Sequence, residues 1–482
     1  MSSIFEKLDK ETSQNDCFWL PLDVLVKRDI GHNKIYLAEL YILTETKQVK
    51  SRNFILTKTR IYKCKKESEI PKAMTVITWK KLEPFEENQQ LEKKYGFRLG
   101  YRPIFQDFYT NTEIELDEWI SNLSRLTIMG ELEYDYAIIK EIGKGNFATV
   151  YLAEETESHV QFAIKFIDKE YMSHCPGGVS AILNEVVIMK KINHPYILKL
   201  HRVYEDKHFI YLVLEYLKGG DLLRRLHKKE KFTESTAARF IVNLLESLKY
   251  LHASHIVHRD LKPENLLMIT NDSDVDFKIC DFGLAYMSSS NQNLRCGSPG
   301  YAAPEIIQKK PYNQKVDIFS AGILLYIVLS GRPPFRGQNV KEILKQNSIC
   351  RLTFHDKCWD SISKKGKNMI LSLTNPNPSL RLSAEQALRH PWLKVSNLLK
   401  LGKELLPQTA CDQYDQCNIS CVSFDEINLS SSHKYLKYIE NTHLILKTIQ
   451  DKNQPSPDEK CKKSTDIVSN PESQNNANNN DS

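Results

Sequence analysis

The sequence predicts an α+β chain built from more than one unit. Three observations carry that expectation: 482 residues exceed one ordinary domain, strand-like and helix-like runs segregate along the chain, and both patterns fade towards its end. Residues 17–127 are rich in short β-type runs and finish in one amphipathic helix, which reads as a small β-barrel or sandwich capped by that helix. Residues 136–393 open with strands and then turn helical, as two lobes of different class do. Residues 394–482 read as a largely disordered tail.

In the first region the strand candidates are KIYLAELYIL (34–43), RNFILT (52–57), RIYKC (60–64) and MTVITW (74–79). Leu116, Trp119, Ile120, Leu123 and Leu126 in IELDEWISNLSRL fall at helical spacing, with Thr112 and Glu115 placed for a capping box. A short link over 128–135 follows. In the second region Val150–Ala153 and Val160–Phe166 flank a hairpin, and VSAILNEVVIMKKI is helical. Phe240, Ile241, Leu244, Leu245, Leu248 and Leu251 mark one face of a long helix with Thr233 near its start. The most apolar run, IFSAGILLYIVL (318–329), falls short of the roughly 20 residues that a bilayer span needs, and reads as a buried helix. The end of the tail, SNPESQNNANNNDS, is polar and free of aromatic residues.

Composition excludes several classes. Hydrophobic residues at 41% and charged residues at 26% suit a soluble globular protein. A net charge of +6 over this length is mild, so no nucleic-acid partner is expected. The eleven cysteines form no CxxC pair and MSSIFEKLDKE lacks an apolar signal core, which points to a reduced, cytoplasmic protein. No DxDxDG loop offers built-in calcium sensing.

The chemistry concentrates in a few short stretches. Gly143–Val150, GKGNFATV, carries two glycines of a phosphate-binding signature whose last glycine is Ala148, and alone it marks a turn as readily as a phosphate site. Lys165 in the strand-like FAIK is costly to place among apolar residues unless it is paired or serves a ligand. Glu185 in the following helix can pair with it and hold it against phosphates. Further on, HRDLKPEN (258–265) and the DFG of Asp281–Gly283 offer what phosphoryl transfer requires. Asp260 can accept a hydroxyl proton, Asn265 and Asp281 can ligate magnesium, and Lys262 can steady a γ-phosphate.

With IGKGNFATVYLA, FAIK, NEVVIMKK, HRDLKPEN, CDFG and AAPE, residues 136–393 resemble a eukaryotic protein kinase domain. The resemblance implies a bilobal fold, with a β-rich N-lobe, a helical C-lobe and ATP in the cleft between them. It implies that Ile142, Gly143, Lys144, Gly145, Asn146, Phe147, Ala148 and Val150 cover the nucleotide. Ala163, Leu214 as gatekeeper, Glu215, Leu217, Asp221 and Leu267 would line the rest of its site. KPEN after Asp260 resembles serine/threonine kinases. Ser298 stands where threonine is usual and could still bond Asp260 and Lys262; Asp317 and Arg381, the latter pairing with Glu305, match structural residues. YLVLEYLKGGDL, CGSPGYAAPE and RLSAEQALRHPWL resemble the calcium/calmodulin-dependent kinase group, in which acids at the positions of Glu264 and Asp221 select basic residues upstream of the target hydroxyl. The competing class is a scaffold that uses the fold without chemistry; Lys165, Asp260, Asn265 and Asp281 together argue against it.

Regulation departs from the group. Leu294 occupies the position of the threonine that related kinases phosphorylate, so activity without loop phosphorylation is expected, with Ser288, Ser289 and Ser290 as the alternative acceptors. The first region resembles a pleckstrin-homology domain, with Trp119 at that family's tryptophan. Lys50-Ser51-Arg52, with Lys47, Lys58, Arg60 and Lys63, resembles part of a phosphoinositide motif; a phosphoinositide membrane or a docked protein are both open as its partner. LKVSNLLKLGKELL (393–406) suits calmodulin binding, pseudosubstrate inhibition or packing back on the kinase.

Overall fold

A computed structural model describes residues 3–6, 9, 17–22, 34–43, 49–64, 69–88, 93–145, 148–175, 177–287 and 296–394. Asn146, Phe147, Lys47, the Ser288–Ser290 run, Leu294 and the tail beyond 394 lie outside them.

The amino-terminal strands are β1 (Leu20–Pro21), β2 (Lys34–Leu43), β3 (Val49–Thr57), β4 (Arg60–Cys64), β5 (Pro71–Val76), β6 (Lys81–Asn88), β7 (Lys93–Tyr101) and β8 (Ile104–Thr110). They pair antiparallel in the order β1-β5-β4-β3-β2-β8-β7-β6. Among the described residues this run is open, with no ladder joining β6 back to β1 or β5, so the ladders alone do not establish the expected barrel or sandwich. MTVITW ends its strand at Val76, because Ile77 and Lys80 form a tight turn joined by a 3.0 Å backbone bond. The helix α1 (Glu113–Ser124) buries Leu116, Trp119 and Leu123 against the sheet, and Trp119 contacts Phe97 and Tyr36. Thr112 caps it by accepting from the Glu115 amide, as the sequence suggests. The Glu115 carboxylate, however, accepts from Asn111 rather than from Thr112, so the reciprocal half of the capping box is displaced by one residue.

The stretch read as a link holds a strand, β9 (Ile128–Met129). It pairs parallel with β6 on one side and with β13 (Leu200–Glu205) on the other, and so joins the two regions in a single 14-stranded sheet. The far half of that sheet is β13 (Leu200–Glu205), β14 (Phe209–Glu215), β12 (Gln161–Asp168), β11 (Ala148–Glu155) and β10 (Tyr136–Lys144), in that order. Side chains from both halves share one apolar cluster, in which Phe54, Phe97 and Trp119 are continuous with Tyr136, Phe166 and Tyr211.

Behind this sheet sit α2 (Lys169–His174) and α3 (Gly178–Lys191), and beyond them the helical lobe. The latter is built on α4 (Leu222–Lys229), α5 (Glu234–Ala253) and α6 (Lys315–Ser330). Thr233 caps α5, and all six apolar residues expected on its inner face are buried. α6 is buried along nearly its whole length, as its unbroken apolar run requires. No helix among the described residues is long and apolar enough to cross a membrane.

Candidate active site

Two sheet elements and one helix bring the first group of residues together. β10 and β11 form a hairpin in which Gly143 faces Val150 and Lys144 faces Thr149. The Gly145 amide donates to the Ala148 carbonyl at 2.8 Å, closing the described part of the turn. Among the described residues, a methyl group added at Gly143 would meet nothing nearer than Val150 at 3.7 Å, and at Gly145 nothing nearer than the Ala148 carbonyl at 3.5 Å. Packing among the described residues therefore does not demand glycine at either position. A ligand that needs the bare backbone beneath it does, and that is how phosphate groups are held. Val150 lies opposite Lys165 on β12, which places the lysine directly behind this hairpin.

Lys165 donates to Glu185 on α3 at 2.7 Å and lies 3.7 Å from Asp281. Burial alone would lower the pKa of this lysine, but the Glu185 and Asp281 carboxylates outweigh it and hold the pKa above the ordinary lysine value. Burial works in the opposite direction on Asp281; there Lys165 and weaker positive neighbours win, and the carboxyl pKa lies below its usual value. Both groups thus stay charged through neutral pH.

The second group sits on the loop after α5. Asp260 accepts from Ser298 at 2.7 Å and from Lys262 at 2.8 Å, and Lys262 also donates to Ser298 at 3.1 Å. Serine therefore makes both bonds expected of it. The Asn265 amide nitrogen donates to the Asp260 backbone carbonyl at 2.8 Å and to its carboxylate at 3.3 Å. A planar amide fixed in this way turns its oxygen to the opposite side, where it is an available hard ligand. Burial depresses the Lys262 pKa, but the bond to Asp260 and its charge raise it overall.

Strained backbone aims these groups. Arg259 and Asp281 both have positive φ, 68° and 63°, a conformation that costs a non-glycine residue roughly 1–3 kcal/mol. The compensation is visible at Asp317, whose buried carboxylate accepts from the His258 and Arg259 amides at 2.9 and 2.8 Å and contacts His252 at 3.0 Å. Burial raises the Asp317 pKa, but the hydrogen bond and charge of His252, with His258 and the Arg259 amide, outweigh it, so the pKa lies below its usual value. The Arg259 guanidinium donates to the Leu284 carbonyl at 2.7 Å and to the Tyr312 hydroxyl at 3.0 Å. Arg381 makes a bidentate pair with Glu305 at 2.6 and 2.9 Å, deep in the helical lobe.

The remaining sequence candidates divide by what their side chains do. Ala163 pairs with Leu214 across β12 and β14, and Ile142, Leu217 and Leu267 are partly exposed near the same cleft. Glu215 is committed elsewhere, its carboxylate binding Lys278 at 2.7 and 2.8 Å and the Lys199 amide at 2.7 Å. Asp221 caps α4 through the Arg224 amide at 2.7 Å and pairs in a bridge with Leu267. Glu264 is exposed. Cys280 is packed behind Asp281, where burial and the adjacent carboxylate push its thiol pKa up. Sequence reasoning missed Asn184, which donates from α3 to the Ala285 carbonyl and ties that helix to the segment after Gly283. It also missed Lys190; both are half-buried polar residues on a helix, and the sequence alone does not show what they face.

Among the described residues no cluster of three or more His, Cys, Asp or Glu side chains forms a metal cage. The donors available are the ionised Asp281 carboxylate and the Asn265 amide oxygen. That set fits magnesium, which typically takes one or two protein oxygens and completes its shell with water and substrate phosphates.

A family model described as "Protein kinase domain" matches residues 136–393. The chain is 38% identical over 330 residues to "Probable serine/threonine-protein kinase 2" of Plasmodium falciparum, covering 66% of this chain and 63% of that protein. It is 38% identical over 271 residues to "Myosin light chain kinase A" of Dictyostelium discoideum, covering 56% and 91% of the two chains. It is also 38% identical over 263 residues to "Calcium/calmodulin-dependent protein kinase type 1" of Caenorhabditis briggsae, covering 54% and 72%. The chain thus spans less than two thirds of the Plasmodium protein's length.

Proposed function

The chain belongs to the protein kinase family, and from that membership we propose that it transfers the γ-phosphoryl group of ATP to serine and threonine hydroxyls of proteins. The observation that supports the reading is the pairing of two groups, Lys165–Glu185–Asp281 and Asp260–Lys262–Asn265, which meet where the Cys280 amide, beside Asp281, donates to the Asn265 backbone carbonyl at 3.0 Å. Gly143–Val150 covers the phosphates, and Lys165, held by Glu185, places them. Asp260 accepts and orients the substrate hydroxyl proton, and Lys262 neutralises charge beside it. Asp281 and Asn265 would hold magnesium, which would shield the phosphate charge.

The exposed Glu264 supports a preference for a basic residue upstream of the target. Asp221, being engaged as a helix cap, contributes less to it. Arg259 already bonds Leu284 and Tyr312, so its orientation does not wait for a phosphate. Both readings are tested on the full chain with radiolabelled magnesium–ATP and a peptide library. Peptides with arginine three positions before the serine should be favoured, and a chain with Ser288, Ser289 and Ser290 all changed to Ala should keep its rate within about threefold. Absence of any gain from basic residues, or inactivity of the triple variant, removes the corresponding claim.

The amino-terminal module is proposed to recruit the enzyme to an anionic membrane. Burial lowers the Lys63 pKa, and Arg52 and Lys72 lower it further, a cation cluster that an anion would relieve. Co-sedimentation of the full chain with phosphoinositide vesicles should weaken on Arg52→Ala and Lys63→Ala. Equal sedimentation of variant and parent would leave protein docking as the module's role.

A further inference from the structure

The helix α3 carries Glu185 in its middle and Lys190 in its last turn, and the two residues are fastened in different directions. Glu185 reaches into the cleft to Lys165. Lys190 reaches the other way, into the amino-terminal module, and donates to the carbonyls of Thr78, Leu126 and Thr127 at 3.1, 3.0 and 3.0 Å. Burial pushes the Lys190 pKa down to about 7; in the protonated form its three N–H donors match the three carbonyls one for one and its direction is fixed. Its nitrogen also lies 5.4 Å from the centre of the Trp79 ring.

The acceptors belong to a rigid frame. Thr78 sits in the turn between β5 and β6, where Lys80 N bonds Ile77 O at 3.0 Å. Leu126 and Thr127 both bond back to the Leu123 carbonyl at the end of α1, and Ile128 N bonds Lys80 O at 3.0 Å. Trp79 stacks on the fully buried Phe5, and Lys80 pairs with Asp9 at 3.0 Å in a buried site. Ile4 N and Ser3 bond Glu205, which pairs with Lys169 at 3.0 Å, so the first residues strap the module to the same lobe.

We propose that Lys190 is a positioning residue for phosphoryl transfer: by docking α3 onto the carbonyls of the amino-terminal module, it holds Glu185 against Lys165. The module is then an intramolecular activator as well as a targeting element. Release of the clasp lets α3 move away from the cleft, and Lys165 loses the partner that places it. The proposal rests on the roles given above to Lys165 and Glu185.

The test is a kinetic cycle on the full chain. Lys190→Met keeps a long apolar stem against Trp79 but removes the donors, and Lys190→Arg keeps charge and donors. Lys190→Met should lower kcat/KM for ATP about tenfold or more, in line with the loss of several bonds to a charged group. Lys190→Arg should recover most of that loss. In a Glu185→Gln background the same Lys190→Met change should cost less than about twofold, because a residue acting through Glu185 has nothing left to position. Thermal unfolding of each variant fixes the assay temperature below every midpoint; if Lys190→Met does not accumulate as folded protein, Lys190→Gln takes its place in the cycle. Parent-like kinetics for the donor-less variant overturn the proposal, as does an undiminished loss in the Glu185→Gln background. Inactivity of the parent chain itself would instead overturn the proposed function.

Discussion

Asp260→Asn should lower kcat for peptide phosphorylation by about 10²–10⁴-fold, the range lost with a general base, while the KM for ATP changes little. The carboxylate accepts three side-chain hydrogen bonds, from Ser298, Lys262 and Asn265. An amide of the same shape offers one oxygen in place of two. Its NH₂ group must then face Lys262, Ser298 or Asn265, whose donors already point at this position. The substitution therefore removes the proton acceptor and also loosens the lysine placed beside the transferred phosphate. A radiolabelled transfer assay, with thermal unfolding to show that the variant is folded, measures the effect. Asparagine at 260 with parent-like activity would sink the assignment of Asp260.

The parts of this site that were legible in the sequence are those whose chemistry is compressed into a few residues. HRDLKPEN places Asp260, Lys262 and Asn265 within six positions of one loop, and the structure needs no long-range fold to bring them together. Lys165 and Glu185 lie on a strand and a helix twenty residues apart, and only the order of motifs suggests that they meet. The fold of the amino-terminal module was less legible. β7 and β8 carry Arg98 and Asp107 inside strands, which breaks the apolar alternation, yet the two side chains face each other across the ladder and pair at 2.7 Å. A two-residue strand such as β9 has no period at all, so the joining of the two regions was invisible. Lys190 carries no distinguishing signal, because a cation near a helix C-terminus is ordinary there, where the backbone carbonyls favour positive charge; its carbonyl partners come from segments more than sixty residues away.

Lys165→Met should lower kcat/KM for ATP by about 10²–10³-fold, comparable with the loss of one preorganised donor at a reacting group. Glu185→Gln should cost less, because its effect is indirect. With Glu185 neutral, the nearest remaining carboxylate is Asp281, already 3.7 Å from the Lys165 ammonium. Lys165 is then drawn towards Asp281, which shifts it from the phosphate position and competes with magnesium for the same oxygen. The two substitutions should therefore be strongly non-additive: once Lys165 is gone, Glu185→Gln has no charge to misplace, and the double variant should be no slower than Lys165→Met alone. Raising the magnesium concentration should recover part of the Glu185→Gln loss, since metal then competes better for Asp281, and none of the Lys165→Met loss. Steady-state kinetics of the four chains at two magnesium concentrations separate these outcomes. Additive losses would mean that Lys165 and Glu185 act independently and that the 2.7 Å ion pair between them is structural.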